Sequence, residues 1–326
     1  LVISVLWNVF DRKSVFIYDG SLMKKITLLA TFSLFAQEEV ALVDLTIPAT
    51  QLEMPAPKFE LPKKSPFLAV TLSVIPGLGH AYLGEYATAA ELFGSTTVLA
   101  GASAIRMPDE ARLSCILTAA NLCNYTFYAA YRDVRNYNRQ EGYAYKMPND
   151  SFQDLSLAPF RPSVLKKPEV WGGILGALAL GVTTSYFAFP QDMEMEDGGS
   201  MGLSPVVAFP VGIGEEAFFR GFLQPMFSET LTPWGGIAAS SITFGALHFT
   251  NGLMLPKEER WRYYSFSLPL ITTLGAYLGW VSYKNCSLKE SVAIHSWYDF
   301  ALFTASAFAT RASIGGLKEF SWSISF

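Results

Sequence analysis

The chain has 326 residues, 51% of them hydrophobic and 16% charged, with a formal net charge of −4. This is longer, more apolar and less charged than one ordinary soluble domain, and the small negative charge without a basic stripe gives no nucleic-acid signal. The cysteines, Cys115, Cys123 and Cys286, form no even framework and match no CxxC spacing, so disulfide and thiolate-metal scaffolds are set aside.

The apolar residues cluster in runs of about 18 to 22, the length that crosses a bilayer as a helix. The expected fold is all-α: a polytopic transmembrane helical bundle of about seven to eight spans. In chain order, Met23 is a better start than Leu1, so 1–22 is expected to lie upstream of it. Residues 23–36 (MKKITLLATFSLFA) follow the n- and h-region pattern of a secretory signal peptide or retained anchor. Residues 37–65, rich in proline and alternating charge, read as an extracytoplasmic linker. Residues 66–131 form an expected three-span module, with apolar segments near 66–83, 87–106 and 112–131. Its first segment, SVIPGLGHAYLGEY, looks like the Pro-Gly-x-Gly-x-x-Tyr-x-Gly hairpin of small bacterial membrane modules. Within it His80 is either a ligand or a packing histidine, and packing is the favoured reading. Residues 132–169 are polar and carry Arg132, Arg135, Arg139, Lys146, Arg161, Lys166 and Lys167, which argues for the cytoplasmic side. A span near 171–189 and the acidic loop QDMEMEDGG follow. The second membrane module, 170–308, adds spans near 234–251, 263–283 and 288–308, and 309–326 is a tail.

The chemistry is concentrated in that second module. The apolar run SPVVAFPVGIGEEAFFRGFLQP carries Glu215, Glu216 and Arg220 in its middle. Each ionised group near the centre of a spanning helix costs roughly 3 kcal/mol, so the set forfeits on the order of 9 kcal/mol unless its members pair or face water. Glu216 and Arg220, four residues apart, can pair on one helix face. Glu215 points about 100° away, towards a cavity shared with other helices. Two of the chain's three histidines stand in later apolar runs, His248 in FGALH, which begins at Phe244, and His295 in HSWYD, which ends at Asp299.

EExxxR, FxxxH and HxxxD, in that order and each at membrane depth, resemble the CPBP family of intramembrane proteases. That family includes the type II CAAX prenyl endopeptidases and the bacterial Abi or bacteriocin-immunity proteases. The resemblance covers about the last half of the chain. It implies an integral-membrane endopeptidase in which Glu215 activates a water, assisted by His248, while His295 and Asp299 form the element that stabilises the oxyanion. Burial raises the pKa of a carboxylate and makes it a better base, which is what such a role needs. Glu216, Arg220 and Phe244 would support these groups from behind. Asp299 departs from the asparagine of the eukaryotic prenyl endopeptidases. An ionised aspartate repels an oxyanion, so orientation of His295 from four residues away is the favoured role.

No cofactor is expected, and the alternative is a metal held by Glu215, His248 and His295, with Asp299 available to complete the set. The expected partners are the lipid bilayer and a peptide or protein substrate in or at the membrane, including small secreted peptides. The expected location is the bacterial inner membrane. A non-catalytic scaffold that keeps the protease fold and a proton-coupled transporter are the competing functions. Against the transporter, no matching pair of broken helices occurs in the two halves.

Overall fold

The computed structural model describes residues 62–188 and 204–314, and every regular element among them is helical. The stretch 1–22, the signal or anchor at 23–36, nearly all of the linker, the acidic loop and most of the tail lie outside the described residues.

Helix α1, Pro66–Leu72, starts where the Ser65 hydroxyl accepts the Leu68 amide at 3.3 Å and proline fills the first turn. The chain then reverses at Gly77, whose φ of 82° an L side chain rarely adopts and whose missing Cβ admits the Ala89 backbone. Helix α2, Leu78–Leu83, is followed by α3, Tyr86–Ser103, and by α4, Asp109–Tyr137, which has 29 residues. Along α4 the buried Asn121, Tyr125, Tyr128 and Arg135 recur at helical spacing and form its inward stripe.

The segment after α4 is not the water-facing loop that its charge suggests. Arg139, Gln140 and Gly142 at positive φ turn the chain back, and Tyr145, Met147, Leu155, Ala158 and Val164 are buried. Helix α5, Phe152–Leu157, opens with a reciprocal Ser151–Asp154 capping box. Several basic side chains are engaged internally. Arg135 reaches Glu229 at 3.3 Å and donates to the Tyr145 carbonyl at 2.7 Å. Arg132 donates to the Asp150 carbonyl at 2.6 Å, and Lys167 pairs with Glu290 at 2.6 Å. Charges committed this way are no free marker of sidedness.

Helix α6, Pro168–Ala188, buries Val170 and Ile174 against Leu278, Val281 and Ile294. The next helical stretch is continuous but changes its winding. Helix α7, Ala208–Glu216, passes into a π turn, Ala217–Leu223, and then into α8, Gln224–Thr230. Helix α9, Pro233–Leu247, is capped by the Thr232 hydroxyl, which accepts the Gly235 amide at 3.0 Å. Helix α10, Leu268–Asn285, and α11, Lys289–Ile314, complete the set. Helix α9 packs on α8 and α10, and α7 is held between α4 and α11.

All described residues from Lys64 onward belong to one compact unit. The all-α expectation holds among the described residues, where no helix is long and apolar enough to cross a membrane, so the structure supplies no count to set beside the expected seven to eight spans. Two of the apolar runs are subdivided: that near 234–251 ends its α-helix, α9, after 15 residues, and that near 205–226 begins with α7 of 9.

Candidate active site

Glu215 and Glu216 close α7, and the glycines before them set how near its neighbours come. A Cβ at Gly212 would run into Ser296 of α11, and one at Gly214 into the backbone of Asn121 of α4. Small residues here therefore let α7 lie directly against the helix that carries His295.

Glu216 is completely buried. Its Oε1 accepts from Arg220 Nη1 at 2.7 Å, the pairing expected from their spacing. Arg220, also buried, donates through Nη2 to the Gly275 carbonyl of α10 at 3.0 Å and lies over the Phe244 ring at 4.5 Å. The ion pair is thus tied to the two helices in front of it, which offsets part of the cost of desolvating both charges.

His295 is the junction of the site. Its Nδ1 lies 2.8 Å from Glu216 Oε1, and its Nε2 lies 3.4 Å from Asp299 Oδ2 and 3.8 Å from Glu215 Oε2. Glu216 already accepts from Arg220, so Nδ1–H is the donor to it. Nε2 then faces two carboxyl groups. A bare lone pair there would confront two anions, so one further proton must be shared among His295, Asp299 and Glu215. The Glu215 side chain keeps 22% of its surface exposed, against 0% for Glu216, so the first acid is the one that a water can reach.

His248 has a defined tautomer. Its Nδ1 sits 2.8 Å from the Phe244 carbonyl, which can only accept, so Nδ1 carries the proton and Nε2 is left as an acceptor. The four-residue spacing of FxxxH produces this bond, and also brings the His248 and Phe244 rings to 4.5 Å at a tilt of 52°. The Tyr263 hydroxyl donates to the His248 carbonyl at 3.0 Å, fixing the backbone where α9 ends. His248 and His295 both lie within electrostatic reach of Glu215. Among the described residues, Glu215, His248 and His295 do not bring three ligand atoms within 4.8 Å of one another.

Residues 198–301 match the family model described as type II CAAX prenyl endopeptidase Rce1-like. This stretch is an Rce1-like domain. It contains every residue of the EExxxR, FxxxH and HxxxD motifs, and it begins later than the 170–308 core expected from the sequence. No curated protein and no solved structure matches the chain. Several contacts of the Rce1-like domain are absent from the motif reading. The bond from His295 to Glu216 makes the second acid a support for the histidine as well as for the helix. Asn121 and Gly275 contribute through backbone and packing. Spacing within one helix revealed the Glu216–Arg220 pair, whereas no local pattern marks contacts that join helices far apart in the chain.

Proposed function

We propose that the chain is an intramembrane endopeptidase that hydrolyses a peptide bond in a membrane-associated or small secreted peptide by glutamate-activated water. The reading is carried by the convergence of Glu215, Glu216 and Asp299 on the His295 ring. The match of residues 198–301 to the Rce1-like family supports it independently.

In this mechanism water lies against Glu215, the exposed member of the acidic pair, which takes a proton as the oxygen attacks the carbonyl carbon. The acceptor Nε2 of His248 orients that water. The proton held around His295 Nε2 faces the developing oxyanion, and Asp299 holds the ring from the same helix. Glu216 and Arg220 keep the imidazole and α7 in register from behind. Glu215 then delivers its proton to the leaving amine. No step requires a cofactor.

Placement in a bilayer is supported by the large apolar side chains exposed across the surface, among them Phe67 at 81%, Trp171 and Trp234. The test is to compare amino termini in membranes carrying the wild type with those carrying Glu215→Gln. Termini generated only by the wild type would identify the substrate. If the variant produces the same set and retains its cellular effect, the fold acts as a scaffold and not as a hydrolase.

A further inference from the structure

The hairpin around Gly77 contains a cluster that the proposed peptidase chemistry does not use. His80 of α2, Glu85 just beyond it and Asp133 in the last turns of α4 each offer a ligand atom, and these atoms all lie within 4.8 Å of one another. Glu85 and Asp133 are separated by most of α3 and α4 in the chain, so folding alone brings them together.

His80 is the decisive member. Its side chain is completely buried, yet neither ring nitrogen makes a hydrogen bond. A buried polar group without a partner is costly, and a packing histidine would normally find a carbonyl or hydroxyl. Nε2 lies 3.3 Å from Asp133 Oδ2, close enough for an ion to be shared but without the alignment of a hydrogen bond. The other edge of that carboxylate is held by Arg132, with Nε 2.7 Å from Oδ1 and Nη2 2.9 Å from Oδ2. This is the outer hydrogen bonding that orients a ligating carboxylate, and it leaves an Oδ2 lone pair on the His80 side. The nearby Lys64 ammonium is engaged by the carbonyls of Tyr82, at 3.0 Å, and Leu83, at 2.6 Å. Glu85 is exposed and closes the cluster on the side from which an ion could enter.

We propose that His80, Glu85 and Asp133 bind a divalent first-row transition-metal ion that clasps the glycine hairpin to α4. One imidazole with two carboxylates suits ions such as manganese, iron or zinc, and the lack of a thiolate disfavours the softest ions. Water would complete the coordination on the Glu85 side. The site is distinct from the Glu215 cluster and stands whether or not that cluster hydrolyses peptides.

The test uses the full chain, stripped with chelator and then titrated separately with Mn2+ and with Zn2+. Wild type should take up a single equivalent of at least one of them, with a thermal midpoint that rises with ion concentration. Glu85→Gln, a change at an exposed position, should weaken uptake by more than the ~10-fold that loss of an outer hydrogen bond costs a metal site. Glu215→Gln should leave uptake unchanged. Pulsed electron paramagnetic resonance of the Mn2+ form, which needs no variant, should show coupling to an imidazole nitrogen. The proposal is overturned if wild type binds neither ion, if Glu85→Gln binds as well as wild type, if no nitrogen coupling is seen to bound Mn2+, or if Glu215→Gln abolishes uptake.

Discussion

His295 meets three carboxyl groups with only two ring nitrogens, and the short contact is with the residue least accessible to water. The two glutamates are therefore predicted to fail differently when altered. Glu215 is partly exposed and held by no short bond, so Glu215→Gln should lower turnover by about 10²–10⁴-fold while shifting stability by less than ~0.5 kcal/mol. Chemical denaturation alongside a cleavage assay checks both halves. Arg220→Ala strands Glu216 as a buried charge, and such a loss costs roughly 3–5 kcal/mol. Combining Glu216→Gln with Arg220→Met should recover much of that loss, because no lone charge then remains inside. A double variant as unstable as Arg220→Ala would show that the ion pair is not what the interior depends on.

At the scale of elements, α11 owes its starting point to a residue far away in the sequence. The Asp150 carboxylate accepts the Leu288 amide at 2.7 Å and the Ser287 hydroxyl at 3.2 Å, while its own carbonyl is held by Arg132. Asp150→Ala should cost about 1 kcal/mol, the usual worth of a helix cap, and should speed amide exchange at Leu288 more than at the far end of α10. Gly214→Ala is expected to be worse, since a methyl there meets the Asn121 backbone and overpacking costs ~1–3 kcal/mol. These elements also mark what could be read beforehand. Helical segments, the Glu216–Arg220 pair and the bond within FxxxH follow from spacing along one chain segment. The Asp150 cap joins residues 138 positions apart, and no periodicity encodes it. The segment after α4 is legible only in part for the same reason: a count of basic residues cannot distinguish charges facing water from those pairing with Glu229 or Glu290.

At the scale of the whole molecule, a surface rich in exposed aromatic and aliphatic side chains is carried by helices none of which, among the described residues, is both long and apolar enough to cross a membrane. Under the proposed bilayer placement, the full-length chain should resist extraction with alkaline carbonate and be released by detergent. Recovery in the aqueous wash would mean that those faces meet protein instead of lipid.

The π turn between Glu216 and Gln224 accommodates an extra residue within an otherwise α-helical path. Removing one residue between Arg220 and Gln224 would let the winding relax to regular α while the segments on either side keep their relative orientation, because the wide turn already absorbs the additional residue. Gln224 would then still face the Gly279 carbonyl that it reaches at 3.1 Å. A one-residue deletion should therefore be tolerated better here than within α9, where losing a residue from regular helix turns everything beyond the cut by about 100°.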